Sequence, residues 1–103
     1  MIINCQPDMF MIAQAASGRE AIELFRQHKP DITLMDLRLP DMSGIDAMIA
    51  IRTEFPGARI IILTTFESDS EMQRALAEGA SAYLLKSAHP KALADAIRQA
   101  HTG

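Results

Sequence analysis

The sequence predicts an α/β fold, a parallel sheet with helices on both faces. Three observations carry this. Short apolar runs alternate with stretches of helical period along the whole chain. The run Ile60 to Leu63 is continuously apolar and rich in isoleucine, as a strand covered on both faces requires. Capping and helix-breaking residues stand at the ends of the helical stretches.

The elements follow in order. "MFMIAQA" (Met9–Ala15) reads as a strand, and "SGREAIELFRQHK" as a helix. Ser17 and Glu20 make a capping box at its start, and Lys29-Pro30 ends it. "ITLMD" (Ile32–Asp36) is the next strand. A helix from about Gly44 to Glu54 is stopped by Phe55-Pro56-Gly57. "RIIILT" (Arg59–Thr64) is the third strand, and Ser68 with Glu71 forms a second capping box after it. Met72, Ala75, Leu76 and Gly79 then share one helix face, with Gly79 suited to the helix end. "AYLLK" (Ala82–Lys86) is the fourth strand. Pro90 fits a first helical position, and Leu93, Ala96, Ile97 and Ala100 form an apolar stripe behind it.

At 103 residues the chain is sized for one small domain. A net charge of −3 argues against a segment that grips nucleic acid or an anionic membrane by itself. Cys5 is alone, which excludes an internal disulfide or a cysteine-based zinc site and fits a reducing cytoplasm. The apolar runs are too short to span a bilayer, and "MIINCQPDMF" lacks the pattern of a signal peptide. His28, His89 and His101 lie near helix ends without metal-ligand spacing, so capping or exposed roles are expected. The seven methionines fall mostly in apolar stripes and read as packing.

Sites in such sheets lie at the carboxyl ends of the strands. There Asp36, Thr64 and Lys86 would bring a carboxylate, a hydroxyl and an ammonium to one edge. These residue types suit phosphoryl chemistry: a carboxylate attacks phosphorus, while a lysine and a hydroxyl hold the phosphoryl oxygens. A divalent cation would bring an anionic donor to an anionic nucleophile, and magnesium fits that task. A nucleotide-binding enzyme is the less favoured reading. The glycines at 18, 44, 57, 79 and 103 form neither G-x-G-x-x-G nor G-x-x-x-x-G-K-[ST].

The stretches "PDITLMDLRLPDMSGIDA", "RIIILTTFES" and "GASAYLLKSA" resemble the receiver domain of bacterial two-component response regulators, in the NarL/FixJ (LuxR-type) branch. The resemblance runs from about Gln6 to the end and rests on the order and spacing of Asp36, Pro40, Gly44, Thr64, Tyr83 and Lys86. It implies a flavodoxin-like (CheY-like) fold and a cytoplasmic signalling role, with no enzymatic role expected. It implies Asp36 as phosphoacceptor and magnesium ligand, and the Arg38 backbone carbonyl as a second ligand. Thr64 matches the hydroxyl that moves toward the phosphoryl group, Tyr83 the aromatic switch residue and Lys86 the phosphoryl-pairing lysine. A histidine kinase would be the donor, and an attached helix-turn-helix DNA-binding domain, not included in this chain, the output.

The sequence departs from the family pattern in one main respect. Receiver domains begin with a strand ending in two adjacent acids that help bind magnesium. Asp8 precedes a predicted strand, Glu20 and Glu23 lie in a predicted helix, and Asp31 starts Asp36's own strand, so none supplies the pair. In the family's 2-1-3-4-5 order the first strand lies between the first two strands predicted here. Without it the sheet is expected to be rearranged or strand-exchanged, with a homodimer as one outcome, and Met1 is expected to be a misassigned start or the edge of a fragment. A smaller departure is Ser87 after Lys86, where many members carry proline. The missing pair also motivates a second reading, a phosphorylation-independent interaction or dimerisation module.

Overall fold

The computed structural model describes residues 16–29, 32–65, 69–87 and 89–102. The predicted strand at Met9–Ala15, Cys5, Asp8, Asp31 and the capping Ser68 lie outside the described residues.

Ser17 opens the first helix, α1 (Gly18–His28), with extended backbone and a hydroxyl that accepts the Glu20 N–H at 3.1 Å. The helix closes at Lys29, which takes a left-handed conformation (φ 45°) and donates its N–H to the Phe25 carbonyl. Strand β1 (Thr33–Asp36) follows. Helix α2 (Gly44–Glu54) starts under the hydroxyl of Ser43 and stops at Phe55, within the predicted bounds. Then come β2 (Ile60–Thr64), α3 (Asp69–Ala77), β3 (Ala82–Leu85) and α4 (Pro90–Thr102). The α4 start carries a cap the sequence only half announces: the His89 imidazole Nδ1 accepts the Lys91 N–H at 3.1 Å.

Among the described residues the sheet has three strands, all parallel, in the order β1-β2-β3. Met35, Ile62 and Tyr83 stand in register, as do Asp36, Leu63 and Leu84. Every residue of central β2 is buried, which explains its unbroken apolar run. One face packs Met35, Ile60 and Ile62 against α1, α2 and α3 through Phe25, Ile45, Met48, Ile51 and Ala75. The other face packs Ile61 and Leu63 against α4 through Leu93, Ala96 and Ile97. The rings of Phe25 and Phe55, 5.1 Å between centroids, lock α1 to the end of α2.

The predicted stripe on α3 needs one correction. Ala75 is fully buried, whereas Leu76 is 47 % exposed. The helix meets the core through its small residue, which allows close approach, and the turn carries Leu76 onto the rim. Gly79, with φ 107°, ends this helix as expected.

Candidate functional site

The carboxyl edge of the sheet gathers three of the residues singled out from the sequence. Asp36 is the last residue of β1, Thr64 the last of β2, and Lys86 follows β3 directly. The Lys86 ammonium lies 3.3 Å from Asp36 Oδ1. Both side chains keep water access, at 39 % and 40 % of full exposure. Thr64 is buried, and its carbonyl accepts the Lys86 N–H at 2.7 Å, which ties the two strand ends together.

Residues 37–44 connect β1 to α2 as a small hairpin. The Gly44 N–H donates to the Leu37 carbonyl at 2.6 Å, and the Leu39 N–H to the Met42 carbonyl at 3.1 Å. These two bonds flank the facing pair Arg38 and Ser43. In such a pair the backbone groups of the central residues point away from each other, so the Arg38 carbonyl points away from Ser43. Gly44 is required here: a Cβ on it would overlap the Asp36 carbonyl oxygen. The hairpin tip reaches α1, where the Asp41 carboxylate accepts the Gly18 N–H at 2.7 Å and the Arg19 N–H at 3.0 Å. These bonds, the Gly18 one foremost, hold the Asp41 carboxyl below the usual carboxylate range. The Arg38 side chain is exposed, and its guanidinium reaches Glu71 on α3 at 3.5 Å.

Tyr83 sits lower on β3. By the strand register it shares the face of Thr64, since Leu85 pairs with Thr64 and Tyr83 with Ile62. The ring packs against the three-helix core, and the hydroxyl is buried with no hydrogen-bond partner.

Of the oxygen donors that the family pattern would use for a hard cation, the described residues include the Asp36 carboxylate and the Arg38 carbonyl. Magnesium is commonly held by one or two protein oxygens with water filling its octahedron, so this pair fits it in part. Among the described residues no group of three or more Asp, Glu, His or Cys side chains gathers to hold a metal. Glu20 and Glu23 lie exposed on α1.

The family model of the response regulator receiver domain matches residues 1–98. The chain belongs to this family of two-component signalling domains. It is 42% identical over 102 residues to the uncharacterized transcriptional regulatory protein YxjL of Bacillus subtilis, covering 99% of this chain and 47% of that protein. It is 39% identical over 101 residues to the response regulator VraR of Staphylococcus aureus, covering 98% and 48%. The chain thus spans about half the length of the curated relatives it matches. Among solved structures, a LuxR-family response regulator from Aurantimonas sp. SI85-9A1 superposes with a TM-score of 0.94 at 39% identity, over 98% of this chain and 72% of that one. The receiver domain of the NarL regulator from Mycobacterium tuberculosis gives 0.85 at 28% identity, over 90% and 75%. The receiver is therefore of the LuxR-type, CheY-like class, with the parallel sheet expected of it. Among the described residues no helix is long and apolar enough to cross a membrane.

Sequence reasoning missed Asp41 and Glu71 as neighbours of the site. Neither carries a local signal. Asp41 bonds backbone 22 and 23 residues away, and Glu71 reads as one half of a capping box. Only the packing of α1 and α3 around the hairpin reveals their partners.

Proposed function

We propose that this chain is a single receiver domain that accepts a phosphoryl group on Asp36 from a histidine kinase. The observation that carries this is the Lys86 ammonium 3.3 Å from a solvent-reachable Asp36 carboxylate at the carboxyl edge of the sheet. In the transfer, an Asp36 oxygen forms a bond to phosphorus while the bond from phosphorus to the donor imidazole breaks. The imidazole keeps the electron pair and recovers a proton from solvent. Lys86 offsets the charge that the phosphoryl oxygens bring, and Thr64, on the neighbouring strand end, is suited to hydrogen-bond one of them. Asp36 and the Arg38 carbonyl would hold magnesium, which when bound screens the repulsion between the anionic donor and the carboxylate. Tyr83, on the face of Thr64, would report the change to the surface. The output would be a shift in dimerisation, and thereby control of DNA by a domain outside this chain, in the cytoplasm.

The test is incubation with magnesium and acetyl phosphate, followed by intact-mass analysis. A phosphate increment is expected on the native chain and none on Asp36→Asn. An unmodified native chain, or a modified Asp36→Asn, would sink the assignment.

A second reading, a phosphorylation-independent interaction module, is favoured by the absence of a three-acid cluster among the described residues. Beryllofluoride with magnesium separates the two. A change in oligomeric state on its addition supports the receiver switch, and an unchanged state supports the second reading.

A further inference from the structure

We infer that Asp41 is a positioning residue for the Asp36 site: its carboxylate latches the tip of the 37–44 hairpin to α1 and so fixes the Arg38 rung beside the acceptor. The inference rests on the reading of Asp36 as phosphoacceptor.

Four features converge on it. First, α1 already has a cap, since Ser17 takes the Glu20 N–H. The two N–H groups that Asp41 takes belong to Gly18 and Arg19, the two residues before Glu20 in the same turn, and the partner comes from a different element. Asp41 thus does more than cap a helix; it joins two distant pieces of chain. Second, Asp41 is exposed, so burial does not order its side chain, and the two bonds at 2.7 and 3.0 Å do. Third, Met42 occupies the space a Gly18 side chain would fill, so the contact at the tip is shaped on both sides. Fourth, the hairpin base is seated by Gly44 against the Asp36 carbonyl. The Arg38–Ser43 rung therefore lies between two fixed points. If the tip is released, the rung is held from the base alone, and the Arg38 carbonyl loses its set position relative to the Asp36 carboxylate. Phosphoryl transfer depends on such placement.

The depressed pKa of Asp41 agrees with this geometry, because both bonds go to the charged form.

The experiment compares the full chain with Asp41→Ala, Asp41→Asn and Ser17→Ala. Ser17→Ala weakens the start of α1 without touching the hairpin, so it reports a purely structural effect. Two readouts are taken: the rate of acetyl-phosphate labelling, and amide hydrogen exchange at Leu39 and Gly44 in metal-free protein. For Asp41→Ala the labelling rate should fall about tenfold, as for a partner that orients a ligand, and both amides should exchange faster. Asp41→Asn keeps one acceptor oxygen and should fall between, which covers the case of a poorly folding alanine variant. Ser17→Ala should label within about twofold of the native rate, with both amides unchanged. Equal effects of Asp41→Ala and Ser17→Ala, or unaltered exchange in both Asp41 variants, would overturn the latch. If the native chain takes no label, the Asp36 reading fails, and the exchange data alone decide whether the latch exists.

Discussion

The two sides of the candidate site are built differently. The Asp36 side is held by fixed contacts: two backbone bonds in the hairpin, the seat of Gly44 on the Asp36 carbonyl and the Asp41 carboxylate on the start of α1. The Lys86 side is a flexible, partly exposed stem past a strand end, with an ion pair to Asp36. The contrast matches what phosphoryl transfer asks of each group. A nucleophile and fixed oxygen donors gain from exact placement, whereas a cation that follows charge from one oxygen to another gains from reach.

The strongest way to break this comparison is Asp36→Asn, which should abolish labelling by acetyl phosphate while leaving the thermal transition near its native value. Gly44→Ala strikes the rigid side at its base. It should cost about 3 kcal/mol in urea unfolding, as overpacking against backbone that has nowhere to move, and labelling should fall with it. Lys86→Ala strikes the adaptable side. The labelling rate should fall roughly 100-fold, as for loss of one charge-stabilising donor. Stability should change by less than about 1 kcal/mol, because the ion pair is solvent-exposed. An equally large stability loss for Lys86→Ala would erase the distinction between the two sides.

Two smaller effects sharpen it. Tyr83→Phe removes a buried hydroxyl that has no partner, so urea unfolding should show a gain of up to about 1 kcal/mol. A loss instead would mean that the hydroxyl finds a partner in solution. Finally, Asp41 makes one part of the acid response predictable. Its folded pKa lies below its unfolded one, through the Gly18 and Arg19 N–H bonds and the charge of Arg19. The stabilisation from this group is therefore full above the ordinary carboxylate pKa and is lost as pH falls through the folded value. Between those two values Asp41→Asn should show a flatter decline of thermal midpoint with falling pH than the native chain.

Much of this was legible in the sequence, for local reasons. Ser17 and Gly79 announce helix ends through backbone chemistry that involves only near neighbours. The isoleucine run of β2 announces a strand buried on both faces, and Asp36, Thr64 and Lys86 announce strand ends because polarity follows an apolar run there. Leu76 was misplaced on the core face because a stripe read at helical spacing does not say which of its residues lies nearest the sheet. Here the smaller Ala75 does.

By itself, then, the sequence determined the order of the described strands and helices and the three side chains at the sheet edge, since periodicity, capping and spacing are properties of neighbouring residues; the family followed from the resemblance of its motifs. Only the tertiary structure decided that Arg38 reaches Glu71, that Asp41 holds the start of α1 and that the Tyr83 hydroxyl lies in the core. Each of these depends on where separate elements pack, and the approach of segments more than 20 residues apart leaves no mark in the pattern of either one.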